Sequence, residues 1–351
     1  MDLSTRYLGL ALRNPLVASA SPLTSTVADV RRLADAGIAA VVLPSLFEEQ
    51  LHREQLRDLL LVEEHEHAFS EAASYFPSAT PSTTPSPTPS AAASEPGGAR
   101  RYLRLVERAA AAVDVPVVAS LNGSTAGGWS RFAHAMQEAG AAAVELNIRF
   151  LPADPHTTGR EVEDRHVEIL ERVLEVVSVP VAVKLSPFFS SPGEMAVRLD
   201  RTGAHGLVLF NRFLQPDVDP ERVAVTPGFA LSTPAESPLA RTWVAILHGR
   251  VGCSLAASTG VETAADVAAY VLAGADVVMT TSSLLRHGPE HASVLLDGLT
   301  AWLARKGYAG VDDARGRLAV PRDVDGTAYE RSGYVAALER ARVTYGGDPR
   351  A

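Results

Sequence analysis

Cysteine is almost missing: Cys253 is the only one in 351 residues. Neither an intrachain disulfide framework nor a Cys-based metal cluster can be built from it, and a reducing compartment fits. Long apolar runs are also missing, since no stretch approaches the ~20 residues a membrane span needs. The first residues, MDLSTRYLGLALRNP, lack a basic segment followed by a long apolar run. No signal peptide is expected, and a cytoplasmic location is. Positive charge is in deficit: 32 Lys and Arg face 41 Asp and Glu, a net charge of −9. Nucleic acid and membrane surfaces are therefore not expected as partners, because both need a basic footprint. HExxH and GxSxG spacings are absent and the histidines are scattered. The EEHEH run at 63–67 reads as a charged helix face, so no metal is expected.

What is present is a repeating phrase. LADAGIAAVVLPS, MQEAGAAAVELNI, LDRTGAHGLVLFN and VLAGADVVMTTS each read as a helix end, a glycine and a buried strand. The glycine supplies a left-handed cap. The unbroken Val/Leu/Ala run that follows belongs to a strand covered on both faces. AAVDVPVVASLN and EVVSVPVAVKLS start their strands with Val-Pro, and NPLVASAS and GRVGCSLAAS complete the set. Eight strands are expected, near 16–20, 39–45, 115–121, 141–147, 180–186, 206–211, 251–257 and 275–281. Strands alternating with helices imply right-handed crossovers and a parallel sheet. Eight such units predict an α/β fold, a closed (β/α)8 TIM barrel in a single domain. An open doubly wound sheet would show a glycine-rich turn after its first strand, and SASPLTST is not one. Residues 77–98, rich in Pro, Ser and Thr, read as a disordered insertion between the second and third strands. The barrel is expected over 1–312, with a C-terminal extension over 313–351. Within that extension AYERSGYVAALERARVTY reads as an amphipathic helix packed outside the barrel.

In such a barrel the chemistry sits where the strands end. Those ends carry Ser19 and Ala20, Ser45, Asn122, Asn147, Lys184, Asn211 with Arg212, Thr259 with Gly260, and Thr281 with Ser282. Lys184 follows three buried residues, where an unpaired lysine is costly. It can hold an anionic ring or phosphate, act as a Schiff-base amine, or snorkel to solvent. AASTGVETAADV and MTTSSLLRHGPE put hydroxyls or glycine just before helices, where barrels bind phosphate. The same residues are also ordinary helix caps.

The ordered set NP…AS, VELN, VAVKLSP, LVLFN, LSTP, STGVET and LLRHGPE resembles the dihydroorotate dehydrogenase family over roughly residues 5–312, closest to its dihydroorotate dehydrogenase-like branch. The resemblance implies an FMN-dependent barrel oxidising CH–CH bonds, with a place in pyrimidine biosynthesis. It implies that Lys184 contacts the flavin ring and that Asn147 and Asn211 contact flavin and substrate. Ser232 and Thr233 fall beside the flavin, and Thr259, Gly260, Thr281 and Ser282 fall at its phosphate. The position of that family's Cys or Ser base falls on Phe150, which cannot accept a proton. An oxidoreductase with a changed, anionic small-molecule substrate follows, its pocket lined by Arg149, Phe150, Asn211 and Arg212. Either arginine could instead pair with an acid such as Asp154 or Glu145. Three alternatives stand beside it: genuine dihydroorotate oxidation, a flavin-binding partner of another redox protein, and an aldolase-type barrel using Lys184. A homodimer is expected by analogy with related barrels.

Overall fold

The computed structural model describes residues 1–47, 98–123, 129–148, 154–212, 217–226 and 230–345. An antiparallel hairpin, β1 (Thr5–Tyr7) and β2 (Leu10–Leu12), precedes the barrel. The barrel strands are β3 (Leu16–Ala18), β4 (Ala40–Phe47), β5 (Val117–Gly123), β6 (Ala143–Ile148), β7 (Val181–Leu185) and β8 (Gly206–Leu209). After a second hairpin, β9 (Asp217–Asp219) and β10 (Ala224–Thr226), come β11 (Ser254–Ala257) and β12 (Val277–Thr280). The eight barrel strands pair in parallel in chain order, and β12 returns to β3 to close the cylinder. All eight strands expected from the sequence are there, and the fold is a (β/α)8 barrel.

The helices α1 (Val27–Asp35), α2 (Gly98–Ala110), α3 (Trp129–Glu138), α4 (Gly159–Leu174), α5 (Pro192–Thr202), α6 (Ser237–Leu247) and α7 (Ala264–Ala273) pack outside. The eighth unit has two, α8 (Ser282–His287) and α9 (His291–Lys306). The glycine of the repeated phrase does what its position requires: Gly37, Gly140, Gly203 and Gly274 all have positive φ, between 94° and 115°. An L side chain there would be strained. The expected insertion at 77–98 lies outside the described residues except for Gly98, which begins α2.

Two apolar clusters are separated by the strand wall. The outer one joins the helices to the outward faces of the strands. The inner one mixes valines of the strands, Val17, Val42, Val118, Val208 and Val277, with the smaller Ala40, Ala143, Ala182 and Ala256. Barrel interiors are ordinarily filled by bulky branched residues. Here these alanines leave room beside the valines, and the hairpin fills it with Tyr7, Leu8 and Leu12. Gly206 makes room for it, since a Cβ there would stand 2.5 Å from Leu8 Cδ2. Each buried leucine of this plug contributes roughly 1.5–3 kcal/mol. Alternation along the strands then fixes which later side chains point inward. Ala143 faces in, so Glu145 and Asn147 do too; Ala182 faces in, so Lys184 does; Val118 faces in, followed by Ser120 and Asn122.

Beyond the barrel the chain passes through α10 (Val311–Ala314) and stays attached. Gly316, Leu318 and Val320 donate backbone hydrogen bonds to Val271, Leu272 and Ala245. The final helix, α11 (Gly326–Tyr345), forms as the sequence predicts, but it does not pack on the barrel as expected: residues 331–345 are all exposed. Its large apolar residues in the described part, Tyr334, Val335, Leu338, Val343 and Tyr345, are spread around the helix among Arg331, Glu339 and Arg342 and make no wide stripe. Good helix formers hold the coil in place of packing. Truncation after Asp325 is expected to leave the urea-unfolding free energy unchanged within about 0.5 kcal/mol; a larger loss would mean that α11 is docked.

Candidate functional site

The floor of the barrel mouth is a buried ion pair. Glu145 on β6 is 1% exposed and Lys184 on β7 is 8% exposed. Their Oε1 and Nζ atoms stand 3.6 Å apart. Lys184 Nζ also donates to Ser19 Oγ at 3.3 Å, tying β7 to the loop after β3. The side chain therefore does not reach solvent past the strand end, and snorkelling is excluded. Neither carboxylate oxygen of Glu145 has a hydrogen-bond partner among the described residues. A buried carboxylate without such bonds depends on its counter-charge. Its field is felt around it. Burial first, and then Glu145, hold the Tyr7 hydroxyl well above its ordinary pKa. Burial also raises Tyr102, whose hydroxyl donates to the Ser120 carbonyl at 3.2 Å and accepts from the Ser120 N–H at 2.8 Å.

Above this floor opens a cleft of about 840 Å³, counted to its open mouth. Ten of the residues expected from the sequence line it: Ser19, Ala20, Lys184, Asn211, Arg212, Ser232, Thr259, Gly260, Thr281 and Ser282. Asn147 joins through Asn211, whose Nδ2 donates to its Oδ1 at 2.6 Å. Ser45, Asn122 and Thr233 are not in the lining. Ser45 pairs with Ser120 at 2.8 Å on the next strand. Asn122 stands in register with Asn147. Thr233 caps a short turn, its N–H donating to Glu236. Arg149 and Phe150 lie outside the described residues. Arg212 pairs with an acid as the sequence allowed, but the acid is Glu236, 3.0 Å away, and not Asp154 or Glu145. Burial opposes the charge of Glu236, but hydrogen bonds from Arg212 and Thr233 outweigh it and lower its pKa.

One end of the cleft is a hydroxyl-rich corner from the last units. Ser232 N–H and Oγ both meet Ser282 Oγ, at 3.0 and 2.8 Å. Arg286 donates to the Ser232 carbonyl at 2.7 Å and pairs with Glu262. Thr281 Oγ1 donates to the Ser19 carbonyl instead of capping α8, while Thr263 is the residue that caps α7. The turn between β11 and α7 is strained. Thr259 has φ +82°, a conformation rare for a β-branched residue. Tyr270, from α7, holds it there by donating to the Thr259 carbonyl at 2.7 Å, with the Ser258 carbonyl at 3.1 Å. Gly260 follows with φ +72°, and a Cβ on it would lie 2.7 Å from the Thr233 carbonyl.

Sequence reasoning missed Glu145, Tyr270 and Arg286 as parts of this site. Glu145 had a legible signal, the inward parity it shares with Ala143 and Asn147. Tyr270 and Arg286 act through folded-chain contacts with no local pattern. Cys253 offers no nucleophile: burial, then Asp200, push its thiol well above the ordinary range. Among the described residues no His, Cys, Asp and Glu cluster could hold a metal ion. No described helix is long and apolar enough to cross a membrane.

A closed parallel barrel with a polar, cation-floored cleft at the C-terminal ends of its strands is the architecture of a barrel enzyme. The pattern of the dihydroorotate dehydrogenase family matches residues 95–303. Relatives that carry the name dihydroorotate dehydrogenase B (NAD+), catalytic subunit, include three with the following likeness. The one from Halalkalibacterium halodurans is 34% identical over 171 residues, 47% of this chain and 56% of its own length. The one from Bacillus mycoides is 31% identical over 214 residues, 58% and 67%. The one from Methanothermobacter thermautotrophicus is 24% identical over 330 residues, 90% and 97%. The alignment with the first thus spans just over half of that relative. The chain belongs to the dihydroorotate dehydrogenase family.

Lys184→Ala strands the Glu145 carboxylate, so it is expected to cost the apo-protein about 3–5 kcal/mol in urea unfolding, with much of the loss recovered in Lys184→Ala/Glu145→Gln. Equal stability of wild type and single variant would mean the pair is not a buried couple. Gly260→Ala is expected to cost about 1–3 kcal/mol through overpacking, on top of its backbone strain. An unchanged melting temperature would contradict the close approach at that turn.

Proposed function

We propose that the chain is an FMN-dependent oxidoreductase that acts on a small molecule other than dihydroorotate, with residues 1–312 forming the flavin-binding barrel. The observation that carries this reading is the floor: an ammonium held between Glu145 and Ser19 under an open cleft at the ends of the barrel strands. The residues present suit the cofactor. Lys184 supplies a cation for the ring, Val261, Met279 and Leu285 supply apolar walls, and Ser232, Gly260, Thr281 and Ser282 supply a polar corner for the phosphate. FMN, when bound, supplies a two-electron acceptor whose reduced form carries negative charge.

The protein's own part is positioning. Lys184 is fixed from two sides, so its charge stays aimed at the cleft. The Asn147–Asn211 amide pair spans β6 and the end of β8 and offers donors and acceptors to a polar substrate. The change of substrate is argued from the sequence, where Phe150 stands at the place of the base. A lost general base removes about 10²–10⁴-fold of the family reaction. The charge of Arg212 is already answered by Glu236, so the case for an anionic substrate rests on Arg149. The match to the dihydroorotate dehydrogenase family favours flavin chemistry over an aldolase role.

A second reading is favoured by the relatives' printed names, which call them catalytic subunits. A partner redox protein would then carry electrons onward, because one cysteine cannot hold an iron–sulfur cluster. The test is direct. The purified protein is expected to be yellow and to release FMN on heating. Its dihydroorotate turnover is expected to lie at least ~100-fold below that of a relative with a Cys or Ser base. A colourless protein that cannot be reconstituted with FMN, or robust orotate formation, would contradict it.

A further inference from the structure

We propose that Glu145 is a positioning residue that sets the reduction potential of the bound flavin, acting from beneath through Lys184. This rests on the flavin reading above and adds to it a group that would not touch the cofactor. The argument begins with what surrounds the carboxylate. It is 1% exposed, inward-facing, and held by no hydrogen bond among the described residues. Ser120, in register with it on the next strand, pairs its hydroxyl with Ser45; the Tyr102 hydroxyl is spent on the Ser120 backbone, and the Tyr7 hydroxyl has no hydrogen-bond partner among the described residues. Lys184, at 3.6 Å, is the charge that answers it.

The ammonium is thus shared. Below it lies a full negative charge in a medium of low dielectric constant. Above it lies the cleft, where charge would develop on the flavin ring. Ser19 Oγ fixes the amine from the side, so the charge cannot swing away from either neighbour. Coulomb interactions at such separations are strong because little water screens them. Each unit of negative charge beneath the ring opposes the negative charge that reduction adds to it. Glu145 therefore acts as a brake on the very stabilisation that Lys184 provides. A lysine alone would hold the reduced cofactor more tightly; the pair holds it less tightly and makes it a better donor to the next acceptor.

The experiment uses the full-length, FMN-reconstituted protein and measures the flavin midpoint potential by anaerobic equilibration with a reference dye. Glu145→Gln keeps the shape and removes the charge. It is expected to raise the affinity ratio of reduced over oxidised flavin about tenfold, a rise of ~30 mV for a two-electron couple. Glu145→Asp keeps the charge and is expected to return the potential toward the wild-type value. A merely structural role would let Lys184 drift, and would leave the potential unchanged or lower in Glu145→Gln. Either result overturns the proposal, as does an equal shift in the Gln and Asp variants. If Glu145→Gln does not fold, Glu145→Ser is expected to show the same upward shift. Wild-type protein that takes up no FMN overturns the flavin reading itself, a failure seen before any variant is compared.

Discussion

The structure turns on a charge pair placed where charges are costly. Glu145 and Lys184 sit inside the barrel, one strand apart, with one side chain sealed and the other nearly so. Replacing such a pair by apolar residues is often neutral or stabilising, so fold stability alone does not explain its presence. What explains it is the position. The pair marks the level at which the interior changes from apolar packing to a polar cleft. Below it Tyr7, Leu8 and Leu12 seal the cylinder; above it Ser19, Asn211 and the hydroxyls of the last two units face the opening.

The small residues of the inner wall make this arrangement possible. Alanines at 40, 143, 182 and 256 leave the lumen under-filled by its own strands. The N-terminal hairpin plugs the lower part, and Gly206 is needed for the plug to pass. The upper part then has room for two long charged side chains and a ligand. The strained Thr259 turn, pinned by Tyr270 and pressed against the 3-10 turn at Pro234–Glu236, closes the hydroxyl-rich corner. Strain at a cleft is the kind of local cost that a binding site retains.

The barrel was readable because each unit repeats one phrase with one physical cause: a glycine that accepts positive φ, then a strand without polar alternation. Gly37, Gly140, Gly203 and Gly274 behave as that phrase requires. The strand-end rule located most of the cleft for a similar reason, since the C-terminal end of every barrel strand faces one mouth. Ser45, Asn122 and Thr233 fall outside the lining of this cleft: Ser45 and Thr233 meet neighbouring polar groups, and Asn122 stands in register with Asn147. Glu145 escapes the rule because it lies inside a strand, where only the inward parity it shares with Ala143 and Asn147 marks it. The rule could not find Tyr270 or Arg286, whose roles depend on which carbonyls the folded chain brings near. The final helix shows the opposite limit: its local sequence specifies a helix, but its apolar residues do not specify a partner surface.

The most direct measurement is a crystal structure of the protein grown with FMN. The account predicts the isoalloxazine ring in the cleft over Ser19 and Asn211, its phosphate in the Ser232–Ser282 corner, and Lys184 Nζ within about 3 Å of a ring acceptor while still facing Glu145. A flavin bound elsewhere, or a ring in the cleft with Lys184 turned away from both it and Glu145, would contradict it.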